Sequence, residues 1–212
     1  PLPHKVGEGA PPPEPARDSS LQMIAPGKVK RIGKGGSLDS RLAILHSIAN
    51  IEQWAIDLAW DIIARFSTHR AALTAAPLPR TFFSDFVKVA SDEAKHFLLV
   101  AERLVELGSR FGALPVHGGL WDSAVDTMGG VRERLAIVHM VHEARGLDVN
   151  PQTIARFERA GDLDSAERLK IIHNDEITHV ACGQKWFTWE TSQNQVDRYK
   201  AFHEIVGKYF RG

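Results

Sequence analysis

From Ser37 onward, apolar side chains return every three or four residues. Leu38, Leu42, Leu45, Ala49, Ile56, Ala59 and Ile63 mark one stripe, the spacing that lets a helix turn a single face inward. Ser37 offers a capping oxygen, and this helix is expected to run to about Phe66. Pro77 and Pro79 then interrupt the chain. A second helix is expected from about Phe82 to Leu107, with Phe83, Phe86, Ala90, Phe97, Ala101 and Leu104 on one face and Gly108 at its end. Residues 109–130 read as a long connection through Pro115, Gly118, Gly119, Gly129 and Gly130, with a helical piece from Leu120 to Met128. A third helix is expected from about Val131 to Leu147, a short one after Pro151 to about Ala160, and a break at Gly161. Another long helix follows from about Asp164 to Trp189. An amphipathic stretch from Val196 to Phe210 should pack on the outside. No alternating strand pattern stands out. Four main helices with one long crossover between the second and third define an all-α, up-down-down-up bundle.

Residues 1–36 break the pattern. Seven of the 11 prolines lie there, with Gly33, Gly35 and Gly36. Such a stretch favours an extended arm over regular structure, so the chain divides into an arm, 1–36, and a helical domain, 37–212. Lys5, Arg17, Lys28, Lys30, Arg31 and Lys34 outnumber Glu8, Glu14 and Asp18 in the arm. That excess can touch phosphate, but the simpler expectation is an arm wrapped over the domain.

Composition narrows the function classes. The 212 residues carry 26 basic and 26 acidic side chains, for a formal net charge of zero. A dedicated nucleic-acid binder usually shows a basic excess, so a nucleic-acid partner is not favoured. Cys182 is alone, which rules out an internal disulfide and fits a reducing compartment. With no run of 18 apolar residues, no membrane span is expected. Cytoplasmic localisation is the expectation.

Two segments carry the chemistry. Asp92-Glu93-Ala94-Lys95-His96 and Asp175-Glu176-Ile177-Thr178-His179 share the pattern D-E-x-x-H. Residues three apart on a helix sit on one face, so each segment can offer an oxygen and a nitrogen to one ion. One such motif is weak evidence, since surface helices contain it often. Two, on two long helices and with the same preceding Asp, are much stronger. Glu52 falls on the apolar stripe of the first helix, and Glu143 lies on the inner face of the third. Bare carboxylates among apolar side chains are costly unless something neutralises them. Four glutamates balance two divalent cations, and oxygen with imidazole ligands suits iron first, manganese next, and zinc less well. The expected ligands are therefore Glu52, Glu93, His96, Glu143, Glu176 and His179. Asp92 and Asp175 are expected to hold the opposite motif's histidine through its second nitrogen. Glu52, Glu93 and Glu176 each fall near the middle of a helix, so they should meet at one level. Glu143 departs from this, because its helix is expected to end near Leu147.

The pattern Glu52, Glu93-x-x-His96, Glu143, Glu176-x-x-His179 resembles ferritin-like di-iron carboxylate proteins. The segment His142-Glu143-Ala144-Arg145-Gly146-Leu147-Asp148 is similar to a bacterial ferritin-like family of unassigned function, itself distantly similar to tRNA-modifying non-haem di-iron hydroxylases. The resemblance covers about 38–190. It implies an oxygen-dependent oxidoreductase with a small-molecule substrate and an electron donor, and it allows a homodimer. Two other functions would use the same ligands: ferroxidase or storage activity, and tRNA hydroxylation.

Other polar positions have simpler readings. His46, His139, His142 and His173 are candidates for extra ligands, though each is better explained as a hydrogen-bonded or boundary histidine. Trp54, Trp60, Trp121, Trp186 and Trp189 read as core or interface aromatics. Arg145 is expected to pair with Asp148, with a grip on an anionic substrate as the lesser reading, and Cys182 to be a small buried side chain.

Overall fold

The computed structural model describes residues 11–28 and 32–210. Residues 1–10 and 29–31 of the expected arm lie outside the described residues. Among the described residues six helices follow one another. α1 spans Leu38–Arg65, α2 Arg80–Glu106 and α3 Gly119–Asp126. α4 runs unbroken through Val131–Ala136, Ile137–His142 and Glu143–Arg159, the middle stretch in wider π-helical turns. α5 spans Leu163–Gln193 and α6 Arg198–Tyr209. Among the described residues, extended pairing is limited to the isolated contacts Met23 with Val116 and Arg70 with Pro77.

α1, α2, α4 and α5 form an all-α bundle, and the packing gives their directions. Ala59, Ile62 and Phe66 at the end of α1 meet Phe82, Phe86 and Val89 at the start of α2, beside Val131, Leu135 and Trp186. Leu45 and Ala49, early in α1, meet Val100 and Leu104 late in α2, with Ile154, Phe157, Ala166 and Leu169. α1 and α5 therefore run one way, and α2 and α4 the other. The connection from α2 to α4 travels the length of the bundle. Fully burying side chains such as Phe82 or Leu104 stabilises the fold by roughly 1.5–3 kcal/mol each. The two apolar clusters occupy the two ends of the bundle. Between them every main helix contributes a polar layer.

Sequence marks the helix ends. Ser37 accepts from the Ser40 amide, and Asp162 caps α5 by accepting from Ser165. Gly108, at φ +79°, turns the chain out of α2, and the Ser109 amide reaches back to the Leu104 carbonyl at 2.8 Å, an ending that favours glycine.

α4 departs from expectation. The helix predicted to stop near Leu147 and the one predicted to start after Pro151 are one element, with Pro151 inside it. A proline inside a helix removes one backbone bond. Here Pro151 is exposed, and the helix beyond it buries Ile154 and Phe157 against α1, α2 and α5. That burial offsets the lost bond. Glu143 thus lies near the middle of a long helix, like the other glutamates.

The π-helical turns at Ile137–His142 lead directly into Glu143. Such turns insert a residue and rotate the later part of a helix relative to the earlier part. The stretch also lies hard against α5. A Cβ added to Gly183 would fall 1.9 Å from the His139 carbonyl oxygen, so only glycine permits this approach.

The crossover and arm close the outside of α1. Trp121 of α3 stacks on Trp54, with ring centroids 6.0 Å apart. The His117 carbonyl accepts from Asn50 and from the Trp54 indole, each at 3.0 Å. Arg17 of the arm lies over the Trp54 ring at 3.6 Å and pairs with Asp57 at 2.6 Å. Trp54, Trp121 and Trp186 are buried, whereas Trp60 is 49% exposed and so lies outside the chain's own core.

Candidate metal centre

α2 and α5 run antiparallel, so their D-E-x-x-H segments face each other in inverted order. His96 Nδ1 lies 3.2 Å from Glu93, 3.5 Å from Glu52 and 3.9 Å from Glu176. His179 Nδ1 lies 3.0 Å from Glu93 and 3.5 Å from Glu176. Both rings therefore turn Nδ1 toward the glutamates. Their Nε2 atoms turn outward to the aspartates of the opposite helix: His96 to Asp175 at 3.1 Å, and His179 to Asp92 at 3.3 Å. Lys88 holds Asp92 and Lys95 holds Asp175, each at 2.5 Å. An imidazole fixed on one side by a carboxylate presents its other nitrogen in a defined direction.

Glu52 comes from α1 and Glu143 from α4. One group joins Glu52, Glu93, His96 and Glu176, and a second joins Glu93, Glu143, Glu176 and His179. In each group, one ligand atom from every residue lies within 4.8 Å of the rest. Glu93 and Glu176 belong to both. Glu52, Glu93, His96, Glu176 and His179 are buried, and Glu143 is partly exposed. All six expected ligands thus meet at one level.

The layer is electrostatically poor without a cation. Burial, with the charge of Glu93 beside it, drives Glu52 well above the usual carboxylate range even though His96 pulls it down. Burial and the neighbouring Glu176 and Glu93 drive Glu143 up in the same way. Burial acts to raise Glu93 too, but the adjacent His179 and His96 outweigh it and hold Glu93 low. Burial likewise opposes charge on the histidines, but the glutamates prevail and push His96 up to about 10 and His179 to about 11. Glu93 Oε1 and Glu176 Oε2 lie 3.0 and 3.5 Å from His179 Nδ1, yet these three buried atoms make no well-aligned hydrogen bond. Buried polar atoms are rarely left so, and oxygen and nitrogen atoms orphaned together fit a shared metal ion.

The other histidines stay outside both groups. His46 Nε2 accepts from the Gly112 amide at 2.9 Å and the Leu114 amide at 3.3 Å. Burial keeps it below the usual histidine range, so it serves the crossover as a neutral acceptor. His173 is half-buried on α5. His139, in the π-helical turns, packs edge-on against Phe86 at 4.7 Å. Burial and the charge of Arg134 press it down to about 3. Arg145 does not pair with Asp148 as expected: among the described residues it has no ion-pair partner, because the two side chains flank a cavity instead of meeting. Cys182 is a free, half-buried thiol beside the core, pushed up to about 12 by burial.

Sequence reading missed the two lysines behind the aspartates. Lys95 lies inside the motif, and Lys88 stands four residues before Asp92, a spacing that pairs charges on a helix. It also missed the close approach at Gly183, which no local signal announces.

Fold and site together define an all-α helical bundle with a buried glutamate–histidine layer able to hold metal. The chain belongs to the family described as "Protein of unknown function (DUF455)", which matches residues 3–212. A Haemophilus influenzae relative described as "Uncharacterized protein" is 38% identical over 167 residues, covering 79% of this chain and 57% of that protein. The chain thus spans little more than half of that relative's length. No solved structure matches the chain. Among the described residues, no helix is long and apolar enough to cross a membrane.

Proposed function

We propose that Glu52, Glu93, His96, Glu143, Glu176 and His179 hold two metal ions, iron first and manganese next, and that the protein is an oxygen-dependent oxidoreductase of hydroxylase type, akin to the ferritin-like di-iron carboxylate proteins. One observation carries this reading: ligand atoms from four helices gather in two groups that share Glu93 and Glu176. Four carboxylates match the charge of two divalent ions, and the mixed oxygen and imidazole set suits iron. When bound, a reduced metal pair supplies the electrons for activating dioxygen.

The chain's own residues do the rest. Glu93 and Glu176 are the carboxylates able to serve both ions. Asp92 and Asp175 hold the Nε2 atoms of His179 and His96, so that Nδ1 stays directed inward. The apolar clusters on either side keep bulk water from the layer. The free thiol Cys182 suits the cytoplasmic setting that this chemistry would use, with a small-molecule substrate and a separate electron donor.

The test is anaerobic loading with ferrous iron, followed by dioxygen. About two irons per chain should bind, and dioxygen should disappear faster than with the same free iron. Dozens of irons per chain would mean storage instead, and no dioxygen uptake above the free-iron control would refute the oxidoreductase reading.

A further inference from the structure

A cavity of about 720 Å³ lies between α4, α5 and α6, a size that suits a small organic molecule. Its floor comes from the helices that carry the metal-binding side chains: Ala144 follows Glu143 on α4, and Val180 follows His179 on α5. Its outer wall is α6, the helix that the bundle does not need for closure. Phe187, Phe202, Tyr199 and Phe210 give the walls an aromatic character. Phe187 and Phe202 meet edge to face at 5.9 Å.

The mouth is charged on one side. Arg145 and Arg198 line the cavity with a single acid, Asp148. Several arginines elsewhere in the fold are neutralised, among them Arg65 by Asp61, Arg103 by Asp162, Arg132 by Glu190 and Arg168 by Glu106. Arg145 and Arg198 have no carboxylate partner among the described residues. Arg198 is held over the Tyr199 ring at 4.6 Å and donates to its hydroxyl, which steadies its guanidinium at the rim. Two unneutralised guanidinium forks above an aromatic cavity match a ligand with a flat apolar body and a carboxylate, sulfonate or phosphate group.

We propose that this cavity binds an aromatic anion, the apolar body against Phe202 and Phe187 and the anionic group between Arg145 and Arg198. Calling that ligand the substrate rests on the oxidoreductase reading; the binding itself does not. Binding is therefore measured on the full chain stripped of metal by chelation, with fluorescence titrations of two probes. One is 1-anilinonaphthalene-8-sulfonate, which carries the anion. The other is N-phenyl-1-naphthylamine, which has the same rings without it. The sulfonate should saturate at one site per folded chain. The double variant Arg145→Gln, Arg198→Gln should weaken it about tenfold or more, the loss of one to two charge-assisted contacts, and leave the neutral probe within about twofold. Thr188→Trp, which fills the cavity, should weaken both. The proposal is overturned if the sulfonate fails to saturate, if the double variant leaves it unchanged, or if it weakens both probes equally. Both exchanged arginines are exposed, so the double variant should keep its cooperative melting. Loss of metal binding in the unmodified chain would leave these outcomes standing, and failure here would leave the metal layer standing.

Discussion

Replacing Glu52 or Glu143 by glutamine should leave the metal-free protein nearly as stable as before and remove the stabilisation given by one ion. Without metal, both carboxyls sit well above the usual range, Glu52 through burial and Glu143 through burial and its glutamate neighbours. Each therefore favours its neutral form, which glutamine imitates in size and hydrogen bonding. The metal-free variants should melt within about 0.5 kcal/mol of the parent. A bound ion changes this. At a free metal concentration of 100 times Kd, one site stabilises by about 2.7 kcal/mol. For a chain of this size that raises Tm by about 5–11 °C per ion. Even a partner that only orients a ligand changes affinity by about 10–100-fold, so losing a ligand should cost at least about 100-fold. At the same metal concentration, the shift from that ion should fall to about 1–2 °C. Each single variant should halve the total shift, because Glu52 and Glu143 belong to different groups. The double variant should nearly abolish it. Scanning calorimetry with manganous chloride, and with ferrous iron under argon, reads this directly. A full shift retained by the double variant, or a single variant that removes all of it, would refute the two-ion arrangement.

Four further outcomes rest on the same layer and its supports. Without metal, Glu52 and Glu143 sit above 4.5, and His96 and His179 above 6.5 at about 10 and about 11. The folded chain thus holds protons that the unfolded chain has released, so stability should fall as pH rises from 6.5 toward 9. With metal bound the ion replaces those protons and the slope should flatten; a chelated protein whose Tm climbs over that range contradicts the assignment. Asp175→Asn should weaken metal binding about 10–100-fold, seen as a loss of affinity by isothermal calorimetry while the metal-free Tm holds. Gly183→Ala places a Cβ 1.9 Å from the His139 carbonyl and should destabilise by about 1–3 kcal/mol, or roughly 2–12 °C; an unchanged Tm would mean that the two helices part without cost. Arg17→Ala removes the stack on Trp54 and the pair with Asp57, a loss of about 0.5–2 kcal/mol, and should speed proteolytic cleavage of the arm with little change in global Tm.

The four main helices, their directions and the six converging side chains were legible because each rests on local periodicity. Glu52 stands on the three-and-four spacing that brings Ala49 and Ala59 inward, and Glu93 and Glu176 do likewise in their helices. The full extent of α4 was not legible, for a physical reason. Its pattern slips where the π-helical turns insert a residue, and Pro151 marks a break in a helix that continues. Both are local penalties offset by distant packing: Ile154 and Phe157 against three other helices, and Gly183 making room for the His139 carbonyl. No window of sequence around Pro151 contains those partners. The same limit hid the cavity, whose lining is drawn from separate stretches between Met140 and Phe210.

The placement of the polar layer explains why the fold tolerates it. An isolated buried charge costs on the order of several kcal/mol, and a layer of four glutamates could tear a bundle apart. Here Phe82, Phe86 and Leu135 pack on one side of it and Leu45, Leu104 and Phe157 on the other, so both ends of every main helix are fixed without the layer's help. The outward aspartates are held in turn by Lys88 and Lys95. The histidines therefore cannot relax the layer by swinging away, and its electrostatic strain has one efficient outlet, a cation between the glutamates. Under the proposed metal reading, a chain built this way would keep an organised site before metal arrives and gain stability when it does. On that account the metal-free protein should fold, with cooperative melting, and the ions should raise its Tm without changing its helical content by circular dichroism. A metal-free chain lacking its helices would mean that the ions build the bundle, and the two apolar ends would then not be the independent supports described.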